Sequence, residues 1–89
     1  MLIPERTNKF KKDYKQAIKR NLDMSLIDKI MLDLINEIPL EEKYRDHALI
    51  GNYNDCRECH IQPNWLLIYQ IGNGIIVFER TGTHSDLFK

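Results

Sequence analysis

The sequence has no long hydrophobic run: none of its apolar stretches approaches the roughly 20 residues that a membrane-spanning helix requires. Residues 1–11 also lack an apolar segment followed by a small-residue cleavage site, which is the pattern of a secretory signal. We therefore expect a cytoplasmic protein with no membrane partner. In that reducing compartment the two cysteines, Cys56 and Cys59, are expected to be free thiols rather than a disulfide.

An excess of charge of one sign is also missing, because 13 lysines and arginines balance 13 aspartates and glutamates. The molecule as a whole is therefore not expected to attract nucleic acid. Its 43% hydrophobic and 29% charged residues are typical of a globular protein and exclude a disordered chain. A length of 89 residues is enough for a single domain over residues 1–89 but leaves little room to enclose a cofactor, so we expect none.

The charge that is present lies unevenly along the chain. Within residues 6–20, Asp13 alone opposes a run of cationic side chains, namely Arg6, Lys9, Lys11, Lys12, Lys15, Lys19 and Arg20. Such a run can bind phosphate groups or an acidic partner, or it can be the solvent-exposed face of a helix. We select Lys9 and Lys12 as candidate contacts for a nucleic-acid substrate.

Two segments have the apolar spacing of helices. The first follows Thr7, which is placed to cap its first turn, and its apolar residues are Phe10, Tyr14, Ala17 and Ile18. The second follows Ser25, and Asp28 three residues later makes a variant of the capping box. Pro39 ends this segment, and its apolar residues are Ile27, Ile30, Met31, Leu34, Ile35 and Ile38. The short connection over residues 21–24 predicts an antiparallel helix pair.

Three strands are predicted downstream, at residues 55–61, 65–71 and 75–81, with the turn-forming triplets Gln62-Pro63-Asn64 and Gly72-Asn73-Gly74 between them. Residues 2–3 and 48–50 are weaker candidates for two further strands. We therefore predict an α+β fold in which two antiparallel N-terminal helices pack on one face of a small, mostly antiparallel, twisted sheet. The other face of that sheet is then available for function.

The most conspicuous short motif is Cys56-Arg57-Glu58-Cys59-His60, which has the spacing of an attachment site for c-type haem. Attachment of this kind belongs to exported proteins. On a strand, Cys56 would share a face with His60 while Cys59 pointed to the other face, so the two thiols could not act together. The same alternation argues against zinc bound by both cysteines and two histidines. We expect neither haem nor structural zinc.

The chain has three histidines, and each lies at the end or edge of a predicted strand: His47, His60 and His84. A histidine with an ordinary pKa of about 6.5 can both accept and donate a proton near neutral pH. Histidines that meet on one face of a sheet would therefore suit general acid–base catalysis. The alternative, which spacing alone favours, is that they are separate surface or capping residues.

Three further side chains could act on a substrate that contains phosphate and bases. Arg80 carries a fixed positive charge near the third histidine, and a guanidinium can hold a phosphate through two hydrogen bonds. Alternatively, Arg80 forms an ion pair with Glu79 or Glu58. Trp65 and Phe88 could stack on RNA bases, although an aromatic residue beside a strand usually packs in the core.

Four segments together resemble the YafQ toxins of the RelE/ParE superfamily: Tyr44-Arg45-Asp46-His47, Arg57-Glu58-Cys59-His60, Pro63-Asn64-Trp65-Leu66-Leu67-Ile68-Tyr69 and Arg80-Thr81-Gly82-Thr83-His84-Ser85-Asp86-Leu87-Phe88. Their order and spacing are more specific than any one segment, and the helical half matches by pattern. The resemblance implies a RelE-like microbial ribonuclease fold. It also implies an endoribonuclease that cuts messenger RNA on the ribosome without a metal and that a cognate antitoxin protein silences.

The resemblance further assigns His47, His60, His84 and Phe88 to the active site, with Arg80 beside it. In the implied reaction the RNA 2′-hydroxyl attacks the adjacent phosphate, which leaves a cyclic phosphate and a 5′-hydroxyl. We expect His84 to be one proton-transfer partner, His60 or His47 to be the other, and Arg80 to stabilise the phosphorane. Asn64 and Trp65 are expected at the substrate, and the toxin–antitoxin complex is expected to bind operator DNA.

Asn64 departs from the family pattern, which has an aspartate before the tryptophan. An asparagine carries no proton at neutral pH, so any charge or proton-transfer role of that aspartate must be lost or taken over by a histidine or Glu58. Two alternatives follow: a non-catalytic module of the same fold that only binds its antitoxin, and a relative that attacks another target such as gyrase. The three histidines favour RNA chemistry.

Overall fold

Five strands and three helices follow one another in the computed structural model, which describes residues 1–88. In chain order they are β1 (Ile3–Arg6), α1 (Asn8–Lys19), α2 (Met24–Ile35), β2 (His47–Ala48), β3 (Arg57–Gln62), β4 (Trp65–Gly72), β5 (Ile75–Gly82) and α3 (His84–Leu87). Two short 3₁₀ helices, Glu42–Tyr44 and Gly51–Tyr53, flank β2. Within residues 1–88 no helix combines the length and apolar character needed to cross a membrane.

The strands form one sheet in the order β1-β5-β4-β3-β2. Neighbours are antiparallel except for β1, which lies parallel to β5 with Ile3 opposite Ile75. Both predicted hairpins are confirmed, because β3 turns into β4 through Pro63 and Asn64, and β4 into β5 through Asn73 and Gly74. The second turn has positive φ at both of its central residues, 54° and 77°, which is the geometry that favours an Asn-Gly pair.

The first helix begins as predicted, because the Thr7 hydroxyl accepts a hydrogen bond from the Phe10 N–H at 2.9 Å. The cap of α2 was predicted wrongly at Ser25. Asp23 caps this helix instead and accepts from the Ser25 N–H at 3.1 Å, so Ser25 lies in the first turn. Asp28 takes no part in a capping box; it accepts from the Tyr14 hydroxyl at 2.6 Å, which joins the two helices and raises the pKa of Tyr14 to about 12.

The predicted end of α2 was also too late, because the helix stops at Ile35 and leaves Ile38 49% exposed. Glu37 has a positive φ of 59°, and the Ile38 N–H donates to the Asp33 carbonyl at 2.9 Å. This is a Schellman motif, which ends a helix without proline. The same motif ends α1 at Asn21, where the Leu22 N–H donates to the Ala17 carbonyl at 3.2 Å.

Apolar side chains form two clusters, one on each face of the sheet. On the first face α1 packs over β5 and α2 over β3, and the buried residues are Leu2, Phe10, Ala17, Ile27, Ile30, Leu34, Cys59, Ile61, Trp65, Leu67, Tyr69, Ile76 and Phe78. On the second face the cluster is small and contains Cys56, Leu66, Ile68 and Leu87. We call these the helix face and the open face. The predicted α+β fold, with helices on one side of a mostly antiparallel sheet, is confirmed.

The weaker strand predictions were partly wrong. β1 starts at Ile3 and runs to Arg6, whereas Leu2 belongs to the core. β2 contains only His47 and Ala48, and Ile50 is 89% exposed because the chain enters a 3₁₀ helix there. The short α3 was not predicted, although Thr83 and Asp86 have the spacing of a capping box in the sequence.

Candidate active site

Four aromatic rings form a row across the open face. The ring centroids of His47 and His60 are 6.3 Å apart, those of His60 and His84 are 6.0 Å apart, and those of His84 and Phe88 are 6.0 Å apart. His47 lies in β2, His60 lies in β3, His84 begins α3, and Phe88 follows α3. The structure thus brings together all three histidines that the sequence could only place separately.

The alternation of β3 directs this arrangement. His60 lies opposite Leu66 of the open-face cluster, whereas Cys59 lies opposite Leu67 of the helix-face core. Cys56 also belongs to the open-face cluster, so the predicted separation of the two cysteines is confirmed. Burial raises the pKa of the Cys59 thiol to about 12 and raises that of Cys56 as well, which makes both thiols unreactive.

Glu58 lies beneath the histidines as a buried carboxylate, with a side chain only 6% exposed. Its Oε2 atom is 3.2 Å from His47 Nε2 and 3.5 Å from His60 Nε2. Its Oε1 atom has no hydrogen-bond partner among residues 1–88. One oxygen of Glu58 therefore contacts two of the three imidazole rings. From the sequence, Glu58 was expected only as an ion-pair partner of Arg80 or as a substitute for the missing aspartate.

The hydrogen bonds of His47 restrict where its protons can lie. Its Nδ1 atom is 2.6 Å from the carbonyl oxygen of Arg45, which can only accept, so Nδ1 carries a hydrogen. Its Nε2 atom faces Glu58, and a hydrogen is needed between these two atoms for that contact to be favourable. Arg45 and Glu58 therefore fix the orientation of the His47 ring through its two nitrogen atoms.

Asp46 fixes the segment that carries His47. Its Oδ1 atom accepts from the Tyr69 hydroxyl at 2.6 Å and from Arg57 Nε at 3.2 Å. Burial, together with this hydrogen bond, raises the pKa of Tyr69, so the phenol stays protonated and remains a donor. Since Tyr69 is buried in the helix-face core, the core anchors the loop before β2.

A capping box and an ion pair hold α3, which carries His84. The Thr83 hydroxyl accepts from the Asp86 N–H, and the Asp86 carboxylate accepts from the Thr83 N–H at 2.9 Å. Arg20 from the end of α1 donates to the same carboxylate at 2.8 Å and is the main reason that the pKa of Asp86 lies well below its usual range. A Cβ at Gly82 would lie 2.9 Å from Asp86 Oδ2, so this close approach requires glycine.

The alternative ion pair of Arg80 with Glu79 or Glu58 is not formed, because Arg80 pairs with Asp13. Its Nε and Nη2 atoms donate to the Asp13 carboxylate at 2.7 and 3.2 Å, and this contact raises the pKa of Arg80. A guanidinium has five N–H donors, and Asp13 uses two of them. Arg80 thus keeps donors for a phosphate, but an acidic side chain from α1 already holds it in place.

Asn64 lies next to His84, as the hairpin turn between β3 and β4 requires. Its Oδ1 atom accepts from the His84 N–H at 3.3 Å and is 3.4 Å from His84 Nδ1. Trp65 is only 3% exposed, packs in the helix-face core and donates from Nε1 to Thr81 Oγ1 at 3.0 Å. Core packing is therefore its main role in this fold. Phe88, in contrast, is 42% exposed and can meet a substrate.

Lys9 and Lys12 lie on α1, which covers the helix face, whereas the ring row lies on the open face. Both lysines are exposed, and neither takes part in a salt bridge within residues 1–88. Any contact they make with RNA is therefore remote from the ring row. Within the same residues, no group of three or more His, Cys, Asp or Glu side chains is arranged to hold a metal ion.

The sequence was also compared with known proteins. A family model described as "Bacterial toxin of type II toxin-antitoxin system, YafQ" matches residues 2–89. The mRNA interferase toxin YafQ of Escherichia coli K12 is 42% identical over 85 residues, which cover 94% of this chain and 92% of that protein.

Solved structures agree with this match. The toxin chain in a crystal structure of the E. coli DinJ-YafQ complex superimposes with a TM-score of 0.93 at 40% identity, and the match covers 100% of both chains. A metal-bound toxin from Helicobacter pylori gives a TM-score of 0.92 at 43% identity, covering 99% of this chain and 100% of that one.

Proposed function

The chain belongs to the YafQ family of bacterial type II toxins, and we propose that it is an endoribonuclease that cuts messenger RNA on the ribosome and so blocks translation. The observation that carries the proposal is the row of three histidine rings, 6.0–6.3 Å apart, above the buried Glu58. A histidine cluster of this kind can take and return a proton at neutral pH. The E. coli relative at 42% identity is named an mRNA interferase.

In the proposed reaction the RNA supplies its own nucleophile. The 2′-hydroxyl oxygen forms a bond to the adjacent phosphorus and loses its proton to a base, while the bond from phosphorus to the 5′-oxygen breaks and an acid protonates that oxygen. The products are a 2′,3′-cyclic phosphate and a 5′-hydroxyl. We assign His84 to one proton transfer and His60 or His47 to the other, and each transfer is worth about 10²- to 10⁴-fold in rate.

The remaining residues bind and orient the RNA. Arg80 uses the donors that Asp13 leaves free to stabilise the charge on the phosphorane. The exposed ring of Phe88 stacks on a base beside His84. Asn64 fixes His84 through the backbone, and Trp65 supports that turn from the core. Lys9 and Lys12 contact RNA phosphates away from the cleavage site.

The proposed partners are a cognate antitoxin protein, the ribosome and messenger RNA in the bacterial cytoplasm. An E. coli YafQ chain has been crystallised as a complex with DinJ. By analogy we propose that an antitoxin covers this chain and that the complex of the two binds operator DNA. No metal takes part in the proposed chemistry, because the imidazoles and Arg80 supply the proton transfers and the positive charge.

Cleavage of ribosome-bound messenger RNA by the purified chain tests this function. We expect new RNA fragments that carry 5′-hydroxyl and 2′,3′-cyclic phosphate ends, at a rate that does not change when transition metals are chelated and Mg²⁺ is kept for the ribosome. Fragments with 5′-phosphate ends, or cleavage that chelation abolishes, would contradict the chemistry.

A second candidate function is a module that only binds its antitoxin, and Asn64 favours it because this position next to His84 lacks a carboxylate. A folded chain that binds an antitoxin but leaves ribosome-bound RNA intact would establish this alternative. Growth arrest on expression of the chain without an antitoxin would exclude it.

A further inference from the structure

A cavity of about 500 Å³ opens beside His60, and the other three rings of the row do not line it. One wall comes from the 3₁₀ helix Glu42–Tyr44 and Arg45, and the other from the end of β3 and Pro63. Leu26 of α2 closes the space between them. Since His60 lies in both the cavity wall and the ring row, the cavity adjoins the candidate active site.

The cavity lining combines two cations with an apolar surface. Among residues 1–88, the charged side chains that line it are Lys43 and Arg45, next to His60, and no aspartate or glutamate of these residues lines it. The Lys43 ammonium lies 5.1 Å from the centre of the Tyr44 ring and forms only a long, exposed contact of 3.8 Å with Glu41. No salt bridge within residues 1–88 uses the Arg45 side chain. This lining fits an anion that also has a flat apolar part.

A larger cavity, of about 580 Å³, lies on the other side of the turn at Pro63 and makes an instructive contrast. No histidine lines it, and Asp13 and Asp86 already bind its two arginines. It therefore offers no proton-transfer histidine and no cation without a carboxylate partner. The cavity beside His60 offers both.

We propose that the cavity beside His60 is a subsite for the nucleotide that neighbours the cleaved phosphate. Its phosphate binds Lys43 and Arg45, and its base lies against the Tyr44 ring, as aromatic side chains do with single-stranded RNA. The proposal rests on the proposed function, because RNA is the substrate that brings a nucleotide to His60. An acidic antitoxin segment is the competing occupant, but the position beside His60 favours the substrate.

The subsite is also coupled to His47. Arg45 has a positive φ of 49°, and its carbonyl oxygen accepts the hydrogen bond from His47 Nδ1 at 2.6 Å. The residue that binds the phosphate through its side chain therefore orients a histidine through its backbone. Binding of the neighbouring nucleotide should then favour the productive position of His47.

NMR titration of the full chain with a dinucleotide that lacks the first 2′-hydroxyl tests the proposal, because this probe cannot be cut. We expect saturable shifts of the His60 and Tyr44 ring signals. Inorganic phosphate alone and a nucleoside alone should bind at least about tenfold more weakly, since each lacks one half of the contacts. Shifts confined to His84 and Phe88, or equal affinity for inorganic phosphate, would overturn the subsite.

Lys43→Gln and Arg45→Gln remove each cation while keeping a long side chain, and Lys29→Gln is the matched control on the exposed surface of α2. Each cavity variant should weaken dinucleotide binding by about tenfold or more and raise KM for RNA cleavage. The control should do neither. Unchanged binding in both cavity variants would refute the subsite.

The antitoxin provides the last comparison. If both cavity variants weaken antitoxin binding tenfold and leave dinucleotide binding unchanged, the cavity belongs to the antitoxin and the proposal is refuted. The binding measurements need no cleavage, so a chain that binds the dinucleotide as described but never cuts RNA would refute only the proposed function.

Discussion

The two faces of the sheet differ in how they are held together. On the helix face, Phe10, Leu67 and Phe78 belong to a cluster of thirteen buried side chains within residues 1–88, and two twelve-residue helices cover it. On the open face the cluster has four, and its cover is the four-residue α3 and a 3₁₀ helix. Apolar burial stabilises a side chain by about 1.5–3 kcal/mol, so most of the packing energy lies on the helix face.

The candidate active site lies on the weakly packed face, where polar contacts take the place of apolar burial. His84 sits on a helix that a capping box and the Arg20–Asp86 pair hold, and His47 sits beside a segment that Asp46 anchors. The residues proposed for the chemistry therefore differ from those that contribute most of the packing energy. We therefore expect that most substitutions will change either the stability of the fold or the cleavage activity, with little effect on the other.

Replacing His84 by alanine should separate activity from stability most clearly, because it should lower the cleavage rate strongly and leave the fold nearly as stable. Loss of one proton-transfer group should lower the cleavage rate about 10²- to 10⁴-fold. The free energy of unfolding should change by under about 0.5 kcal/mol, because the His84 side chain is exposed. Cleavage assays and urea unfolding of the same preparation measure the two effects.

Ser85→Ala is the matched control, since Ser85 is exposed and follows His84 in α3. It should keep full activity. If His84→Ala retained normal cleavage in a folded protein, His84 would have no part in proton transfer.

A pair of leucines sharpens the comparison from the side of stability. Leu67→Ala empties a position that is 0% exposed on the helix face and should cost about 2–5 kcal/mol of unfolding free energy. Leu87→Ala, at a 7% exposed position on the open face, should cost about 2 kcal/mol or less. Leu87→Ala should nevertheless lower cleavage activity more than Leu67→Ala does, because the Leu87 side chain packs α3, the helix that carries His84, against the sheet.

Urea unfolding measures which variant loses more stability. Cleavage assays at a temperature where both variants are folded measure which one loses more activity. Equal loss of activity in the two folded variants would show that the faces are not separable.

Asn64→Asp changes the charge of the open face without changing its shape. A carboxylate at the position of Asn64 Oδ1, 3.4 Å from His84 Nδ1, favours the protonated imidazole. The pH–rate profile of the variant should therefore move toward higher pH than that of the unmodified chain. The maximal rate should also rise if the missing carboxylate limits the reaction.

The profile should be compared with that of Asn64→Ala, which removes the contact and adds no charge. An Asn64→Asp profile that coincides with the unmodified one would place the titrating group elsewhere.

Asp86→Asn has the smallest expected effect, and pH reveals it. The pKa of Asp86 is lowered in the folded protein, so its carboxylate stabilises the fold above about pH 4, and this contribution is lost as the pH falls through the lowered pKa. Near neutral pH the variant should be less stable by about 1 kcal/mol, because the ion pair is partly exposed. Below about pH 4 the difference should shrink.

Urea unfolding between pH 2 and 7 measures this trend. Asp55→Asn is the control, since asparagine tolerates the positive φ of 73° at that position. A stability difference that stayed constant down to the lowest pH would show that the Asp86 charge is not responsible.

The sequence predicted those parts of the fold that depend on local patterns. Alternation along β3, β4 and β5 and the turns at Pro63 and Asn73 were sufficient for three strands, and Thr7 for the start of α1. The end of α2 was missed because a Schellman motif at Glu37, rather than Pro39, stops the helix, and a glutamate seldom has a positive φ.

The active-site geometry was predictable only in part. Strand alternation placed His60, but the distances to His47 and His84 depend on long-range pairing that no local pattern encodes. The Arg80–Asp13 pair was missed for the same reason, because its partners lie 67 positions apart in the sequence. Glu58 was underrated because its burial between two histidines appears only in three dimensions.

The parallel pairing of β1 with β5 has a consequence for the order of folding. The two helices and the two hairpins close short loops, whereas Ile3 meets Ile75 only after most of the chain has been brought together. Closing a long loop costs more entropy than closing a short one. The β1–β5 pairing should therefore form late and complete the sheet. His84 follows β5 directly, so the strand that this late contact anchors also carries one end of the ring row.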